Sequence, residues 1–281
     1  MFTFASNADG TIIHVHEWAP AVPPRGIVQI SHGMGEHAAR YAPLAGTLSE
    51  AGFADYADDH RGHGHSVADT AGDLGEGGWE ALVDDMVQLS GLAGDRHPGL
   101  PLVLVGHSLG SFASQQYILG HSGDVAAVAL SGTTALDALL PHMAGDDSGG
   151  SVLAALNRPF EPARTDFDWL SRDEAQVNAY IADPWCGFDL APAALGELFD
   201  AADRWTDTSS VRPDLPIYVF VGTQDPINGG LTFSDILVQR YRDSGHAVTY
   251  RTYPGGRHEI LNETNRDEVE ADLLAWIDGV I

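Results

Sequence analysis

The 281-residue sequence predicts an α/β fold built on a mostly parallel sheet with helices on both faces. Three observations lead there. Short apolar runs alternate along the chain with segments whose apolar residues recur at helical spacing, the pattern of strands joined by helical crossovers. One run, Leu102 to Val105, stops at Gly106-His107-Ser108-Leu109-Gly110 and a helical segment begins at once, so a serine sits in a tight strand–turn–helix junction. Two later strands, Ile217–Gly222 and Ala247–Tyr253, run into loops that carry Asp225 and His258.

In chain order, Thr11–Trp18 alternates partly and suits an early strand, and Gly26–Ser31 suits a buried one, with Pro20-Ala21-Val22-Pro23-Pro24 as the turn between them. After His32-Gly33-Met34-Gly35-Glu36-His37, the residues Tyr41, Leu44, Ala45 and Leu48 share one helical face, and Gly52 stands where a helix-ending glycine is expected. A strand from Phe53 to Ala57 leads to the loop Asp58–Ser66. Gly77-Gly78 precede a helix bearing Trp79, Leu82, Val83 and Met86. The strand into Ser108 follows, then a helix to about Leu119 and a buried strand, Val125–Leu130.

The alternation breaks between about 133 and 208. Short helical pieces, Ser151–Leu156, Glu174–Ala182 and Pro192–Ala202, surround Gly145-Asp146-Asp147-Ser148-Gly149-Gly150, which reads as a flexible loop. Such an insertion inside a regular α/β chain is expected to cap the C-terminal edge of the sheet. With no repeat, linker or low-complexity tract, residues 1–281 form one expected domain, and the cap belongs to it. After the insertion come the strand Ile217–Gly222, a helix over Thr232–Ser244, the strand Ala247–Tyr253 and a last helix with Val269, Leu273, Trp276 and Ile277.

The chemistry follows from the order of the loops. A serine hydroxyl is a weak nucleophile and needs a base, usually a histidine oriented by a carboxylate. On a strand–turn–helix elbow the partners follow in the order serine, acid, histidine, each after a strand. Ser108, Asp225 and His258 satisfy order and position together. Asp203 and Asp207 are rival acids, but neither follows an apolar strand, and His246 precedes its strand. The backbone N–H groups of Met34 and Leu109 are the expected oxyanion donors, the first after strand Gly26–Ser31 and the second at the start of the helix behind Ser108. His60, His63 and His65 with Asp58 and Asp59, or His32 with Glu36 and His37, raise a metal alternative. Helical H-E-x-x-H is absent, and glycine-interrupted histidines read as hydrogen-bonded loop residues, so neither a metal nor a cofactor is expected. Cys186 reads as a small buried residue.

Composition excludes other classes. Fourteen Lys+Arg, all of them arginine, stand against 40 Asp+Glu, a formal charge of −26. Such a surface repels nucleic acid and anionic bilayers. The single cysteine forbids an intrachain disulfide, and the start of the chain shows neither a basic nor an apolar leader segment. No apolar run is long enough to span a bilayer. A cytoplasmic location is the expectation, with a small-molecule ester as the partner.

Taken together, HGMGEHAARY from His32, DHRGHGHS from Asp59, GHSLGS from Gly106, WLSRD from Trp169, DPWCGF from Asp183, GTQDPIN from Gly222 and YPGGRHEILNE from Tyr253 resemble the monoacylglycerol lipase/lysophospholipase-like serine hydrolases of the α/β-hydrolase superfamily. The resemblance implies an eight-stranded, mainly parallel sheet, a helical cap lining an acyl pocket, and no cofactor. It implies Ser108 as nucleophile, Asp225 as orienting acid, His258 as base, Met34 and Leu109 as oxyanion donors, and the Asp59 loop as support rather than a metal centre. The segment Leu139–Phe160 carries Asp146 and Asp147 and lacks a long apolar face for lipid docking, which favours a soluble monoester of modest size. Monoacylglycerol or a similar small acyl ester is the expected substrate. The same triad could cleave an amide, lactone, thioester or carbon–carbon bond, and the fold could also serve a catalytically silent binding protein.

Overall fold

A computed structural model describes residues 1–143 and 151–281; the expected loop Gly145–Gly150, with Asp146 and Asp147, lies outside the described residues. Strands β1 (Phe2–Ala5), β2 (Ile12–Trp18), β3 (Gly26–Ser31), β4 (Phe53–Asp59), β5 (Leu102–His107), β6 (Ala127–Ser131), β7 (Ile217–Gly222) and β8 (Val248–Tyr253) join in one sheet. Their order is β1-β2-β4-β3-β5-β6-β7-β8. Only the β1/β2 and β2/β4 pairs are antiparallel; from β4 to β8 every pairing is parallel. The mostly parallel eight-stranded α/β-hydrolase sheet expected from the sequence is the one observed.

Burial explains why each strand reads as it does. β3, β5, β6 and β7 are buried along their whole length because helices cover both faces. Alternation still sorts their side chains: Ile27, Leu102 and Leu104 enter one hydrophobic core, and Val28, Val103 and Val105 enter the other. Helices α2 (Gly78–Arg96), α3 (Leu109–His121) and α8 (Thr232–Asp243) pack on the first side; α1 (Ala42–Glu50) and α9 (Arg266–Val280) pack on the second. The edge strands β1 and β8 instead alternate between partly buried and exposed positions. β1 was not expected from the sequence. Four residues long and half exposed, it carries too little periodicity to stand out, and it exists because β2 offers an antiparallel partner.

Between β6 and β7 the chain leaves the sheet. The helices α4 (Leu136–Met143), α5 (Val152–Ala155), α6 (Glu174–Ala182) and α7 (Pro192–Ala202) lie in this stretch. Leu198, Ala201 and Trp205 are absorbed into the first core, while Leu153, Trp169, Leu170 and Tyr180 form a separate small cluster. No helix among the described residues is long and apolar enough to cross a membrane.

Candidate active site

Because β3, β5, β7 and β8 run parallel, the loops after them open on the same edge of the sheet, where binding sites of open α/β sheets form. Ser108 stands at the turn between β5 and α3 with φ 50° and ψ −118°, in the left-handed half of conformational space that a serine normally avoids. Holding it there costs on the order of 1–3 kcal/mol. The turn is possible because its neighbours are glycines. A Cβ on Gly106 would lie 2.5 Å from the Gly110 carbonyl oxygen, and one on Gly110 would lie 2.2 Å from that of Ser31. The Ser108 N–H donates to the Ser131 carbonyl of β6 at 3.0 Å, which pins the turn to the sheet.

Asp225 and His258 are buried and meet in the same place. His258 Nδ1 lies 2.9 Å from Asp225 Oδ2, and Asp225 Oδ1 accepts from the Ile227 N–H at 3.1 Å. With Nδ1 so engaged, Nε2 is left without a protein partner among the described residues. Burial by itself would lower the imidazole pKa, but the charge of Asp225, its hydrogen bond and the more distant Glu259 and Glu36 outweigh it, and the net shift is upward. His107, whose ring centroid is 4.9 Å from that of His258, is driven the other way to about 3 by burial and by His258, and so stays neutral. Ser108, His258, His107 and Met34 line one cavity. Among the described residues, neither the Met34 nor the Leu109 N–H donates to a protein acceptor. Of the rival residues, Asp207 is exposed, Asp203 opens a 3-10 turn in the inserted segment, and His246 packs edge-on against Tyr241.

Beneath the serine, the loop after β4 is a scaffold. His60 Nδ1 pairs with Asp58 Oδ2 at 2.8 Å and its Nε2 with Ser31 Oγ at 3.0 Å. The His60 N–H donates to His32 Nε2, so His32 carries its proton on Nδ1 and gives it to the Gly33 carbonyl at 2.7 Å. Asp59 accepts from the Ala38 and His65 N–H groups, and Arg61 binds Asp85 and Asp9.

One group of residues received no individual role from the sequence. Glu36 Oε1 accepts from the Gly33 N–H at 2.6 Å and from Tyr41 OH at 2.8 Å, which fixes the His32–Gly33 peptide at the start of the Met34 loop. Arg40 bonds to Glu36 and forks onto both oxygens of Glu259 at 2.6 and 2.7 Å. The buried guanidinium thus ties the Met34 loop to the residue that follows His258. Both ends lie within quoted motifs, HGMGEHAARY and RHE, but nothing in one dimension shows that they meet.

The inserted segment roofs this assembly. The Trp169 and Leu170 carbonyls accept from the N–H groups of His258 (3.3 Å) and Glu259 (2.8 Å). Arg257 donates to the Asp168 and Ser171 carbonyls, and Tyr180 OH donates to the Gly35 carbonyl at 2.7 Å. The cavity at Ser108 measures about 230 Å³.

Two groups of metal-ligating side chains converge among the described residues, and neither includes His60, His63 or His65. In the first, His37 pairs with Asp183 at 2.9 Å, while burial, above all, raises the Cys186 thiol far above its usual range and keeps it protonated. In the second, Glu36, His107 and Glu259 surround the charge of Arg40.

The chain is similar to known proteins over most of its length. The family model described as Hydrolase_4, "Serine aminopeptidase, S33", matches residues 22–265. The chain is 33% identical to the monoacylglycerol lipase of Mycolicibacterium smegmatis over 97% of this chain and 95% of that protein. It is 29% identical to the monoglyceride lipase of Homo sapiens, over 96% and 88% respectively. Among solved structures, a thermostable carboxyl esterase from Bacillus coagulans, crystallised with glycerol, superposes with a TM-score of 0.87 at 29% identity, covering 99% of this chain and 97% of that one.

Proposed function

The chain belongs to the Hydrolase_4 (serine aminopeptidase, S33) family as a monoacylglycerol lipase-like member, and we propose that Ser108, Asp225 and His258 are the triad through which it works. The protein is a serine hydrolase that cleaves carboxylic esters. The observation that carries the assignment is the buried His258–Asp225 pair at 2.9 Å, sharing a cavity with a serine held at φ 50°. Asp225 holds the proton on Nδ1, which leaves Nε2 as the base. His258 takes the Ser108 proton as Oγ attacks the ester carbon, and the negative charge on the carbonyl oxygen falls to the Met34 and Leu109 N–H groups. The imidazolium returns its proton to the departing alkoxide, an alcohol leaves, and an acyl-serine remains. Water, deprotonated by His258, then releases the carboxylic acid and restores the serine.

A monoacylglycerol or similar small monoester is the proposed substrate, supported by the named activity of the M. smegmatis and human relatives. The segment at about 133–208 is proposed as a cap over the site, supported by the hydrogen bonds of Trp169, Leu170 and Tyr180 to His258, Glu259 and Gly35. The charge of −26 supports a dispersed small substrate over an anionic interface and, with it, a cytoplasmic setting without nucleic-acid partners. A fluorophosphonate probe should label Ser108, and Ser108→Ala should abolish both labelling and hydrolysis of monoacylglycerols. Labelling that persists in that variant would overturn the assignment.

A further inference from the structure

Trp169 stands out as a buried donor with nothing to donate to. It is 2% exposed, and its indole Nε1 is fully buried without a hydrogen-bond partner among the described residues. Its other contacts are satisfied: its N–H donates to Asn157 Oδ1 at 2.9 Å, its carbonyl accepts from His258, and its ring packs with Leu153, Leu170 and Tyr180. The same ring lies against the His258 imidazole, with centroids 4.9 Å apart and planes 40° apart, and Trp169 borders the cavity that holds Ser108. A buried donor left unmade is expensive, and folded proteins rarely keep one without a use. An indole N–H can only donate, so whatever satisfies it is an acceptor.

We infer that Trp169 is a specificity-determining residue whose indole N–H binds a hydroxyl or ether oxygen on the alcohol half of the ester, so the cavity is built for an alcohol with a second oxygen close to the scissile bond. The side of the site follows from the proton path. The developing oxyanion faces the Met34 and Leu109 N–H groups, whereas His258 Nε2 faces the departing alkoxide. The inference places the Trp169 ring, stacked on His258, beside the leaving alcohol. This assignment rests on the ester hydrolysis proposed above and names the residue that would tell a glyceryl ester from a simple alkyl ester.

The test compares the 1-glyceryl and n-propyl esters of one short, soluble fatty acid, which differ only in the two free hydroxyls. The unaltered chain should favour the glyceryl ester in kcat/KM by about tenfold or more, as a site built to bond a hydroxyl does against an analogue lacking it. Trp169→Phe keeps an aromatic ring against His258 and removes the N–H. It should cost the glyceryl ester about tenfold in kcat/KM, change the propyl ester by less than about threefold, and leave the pH profile for both unmoved. Equal losses on the two esters, or a displaced pH profile, would mean that Trp169 only positions His258 and would overturn the inference. So would an unaltered chain that does not distinguish the two esters, a measurement that stands even if the variant does not fold. Turnover of neither ester by the unaltered chain is a different result: it removes the ester reading, and this inference with it.

Discussion

Two buried imidazole–carboxylate pairs flank Ser108, and they are almost identical as pairs. His60 lies 2.8 Å from Asp58 and His258 lies 2.9 Å from Asp225, all four side chains are buried, and in both the carboxylate overcomes the cost of burial and raises the imidazole pKa. What differs is the other ring nitrogen. That of His60 is taken by Ser31 Oγ at 3.0 Å, with the ring packed against His32. That of His258 has no protein partner among the described residues, and the residue borders the cavity beside Ser108. An imidazole held by a carboxylate is only an oriented imidazole. It becomes a base where its second nitrogen meets a nucleophile and a space for substrate, and a strut where that nitrogen is spent on the backbone's own support.

The sharpest way to break this comparison is to make the same change in both pairs. Asp225→Asn should lower kcat by about 10³–10⁴-fold, because the amide no longer holds the imidazole in the tautomer that offers a basic Nε2. Asp58→Asn should leave kcat within about tenfold and instead cost stability, on the order of 1–3 kcal/mol for a disrupted buried hydrogen bond, read as a lower urea midpoint. Comparable losses of activity in the two variants would show that the distinction between base and strut is wrong.

A smaller effect is expected in the pH profile. As the proposed base, His258 acts only when neutral and its pKa is raised, so kcat/KM should climb with pH through an apparent pKa above the ordinary imidazole value of 6.5. Glu259 is one of the charges that raise it, so Glu259→Gln should move that acid limb to lower pH, whereas Asp58→Asn should leave it in place. A limb that stays put in Glu259→Gln would remove Glu259 from the electrostatics of the site.

The smallest effect concerns Asp55, a buried carboxylate with no imidazole beside it. Its Oδ2 accepts from Ser49 Oγ at 2.7 Å and its Oδ1 has no partner. Burial, opposed only by the serine, pushes its pKa up to about 8. The sign follows directly: between the unfolded value of 3.8 and about 8 the unfolded chain has released a proton that the folded chain keeps, so the stability this group contributes falls as pH rises through that window. Asp55→Asn should flatten the decline in melting temperature between pH 5 and pH 8 while changing kcat little. An unchanged slope would show that Asp55 ionises normally in the fold.

How much of this was legible in one dimension depended on the range of the interaction. The elbow could be read because its geometry is local: an apolar strand, two glycines where a Cβ would strike the backbone and a helix start all lie within Leu102–Ser111. The meeting of Asp225 and His258 could be read because the chain order of loops after strands carries over into one edge of a parallel sheet. β1 could not, since its four residues owe their conformation to pairing with β2. Nor could the Glu36–Arg40–Glu259 bridge, which joins residues 219 positions apart, or the stacking of Trp169 on His258, because contacts between distant segments leave no period in a sequence.

The sequence by itself therefore determined the sheet, the serine's turn and the identity of the triad candidates, because hydrophobic period and backbone sterics act between near neighbours. Only the tertiary structure decided which histidine is free to act, what charges tune it, and how tightly the roof closes. Those properties depend on which nitrogen, carboxylate or indole the folded chain brings within about 3–5 Å of another, at distances where burial makes each contact decisive.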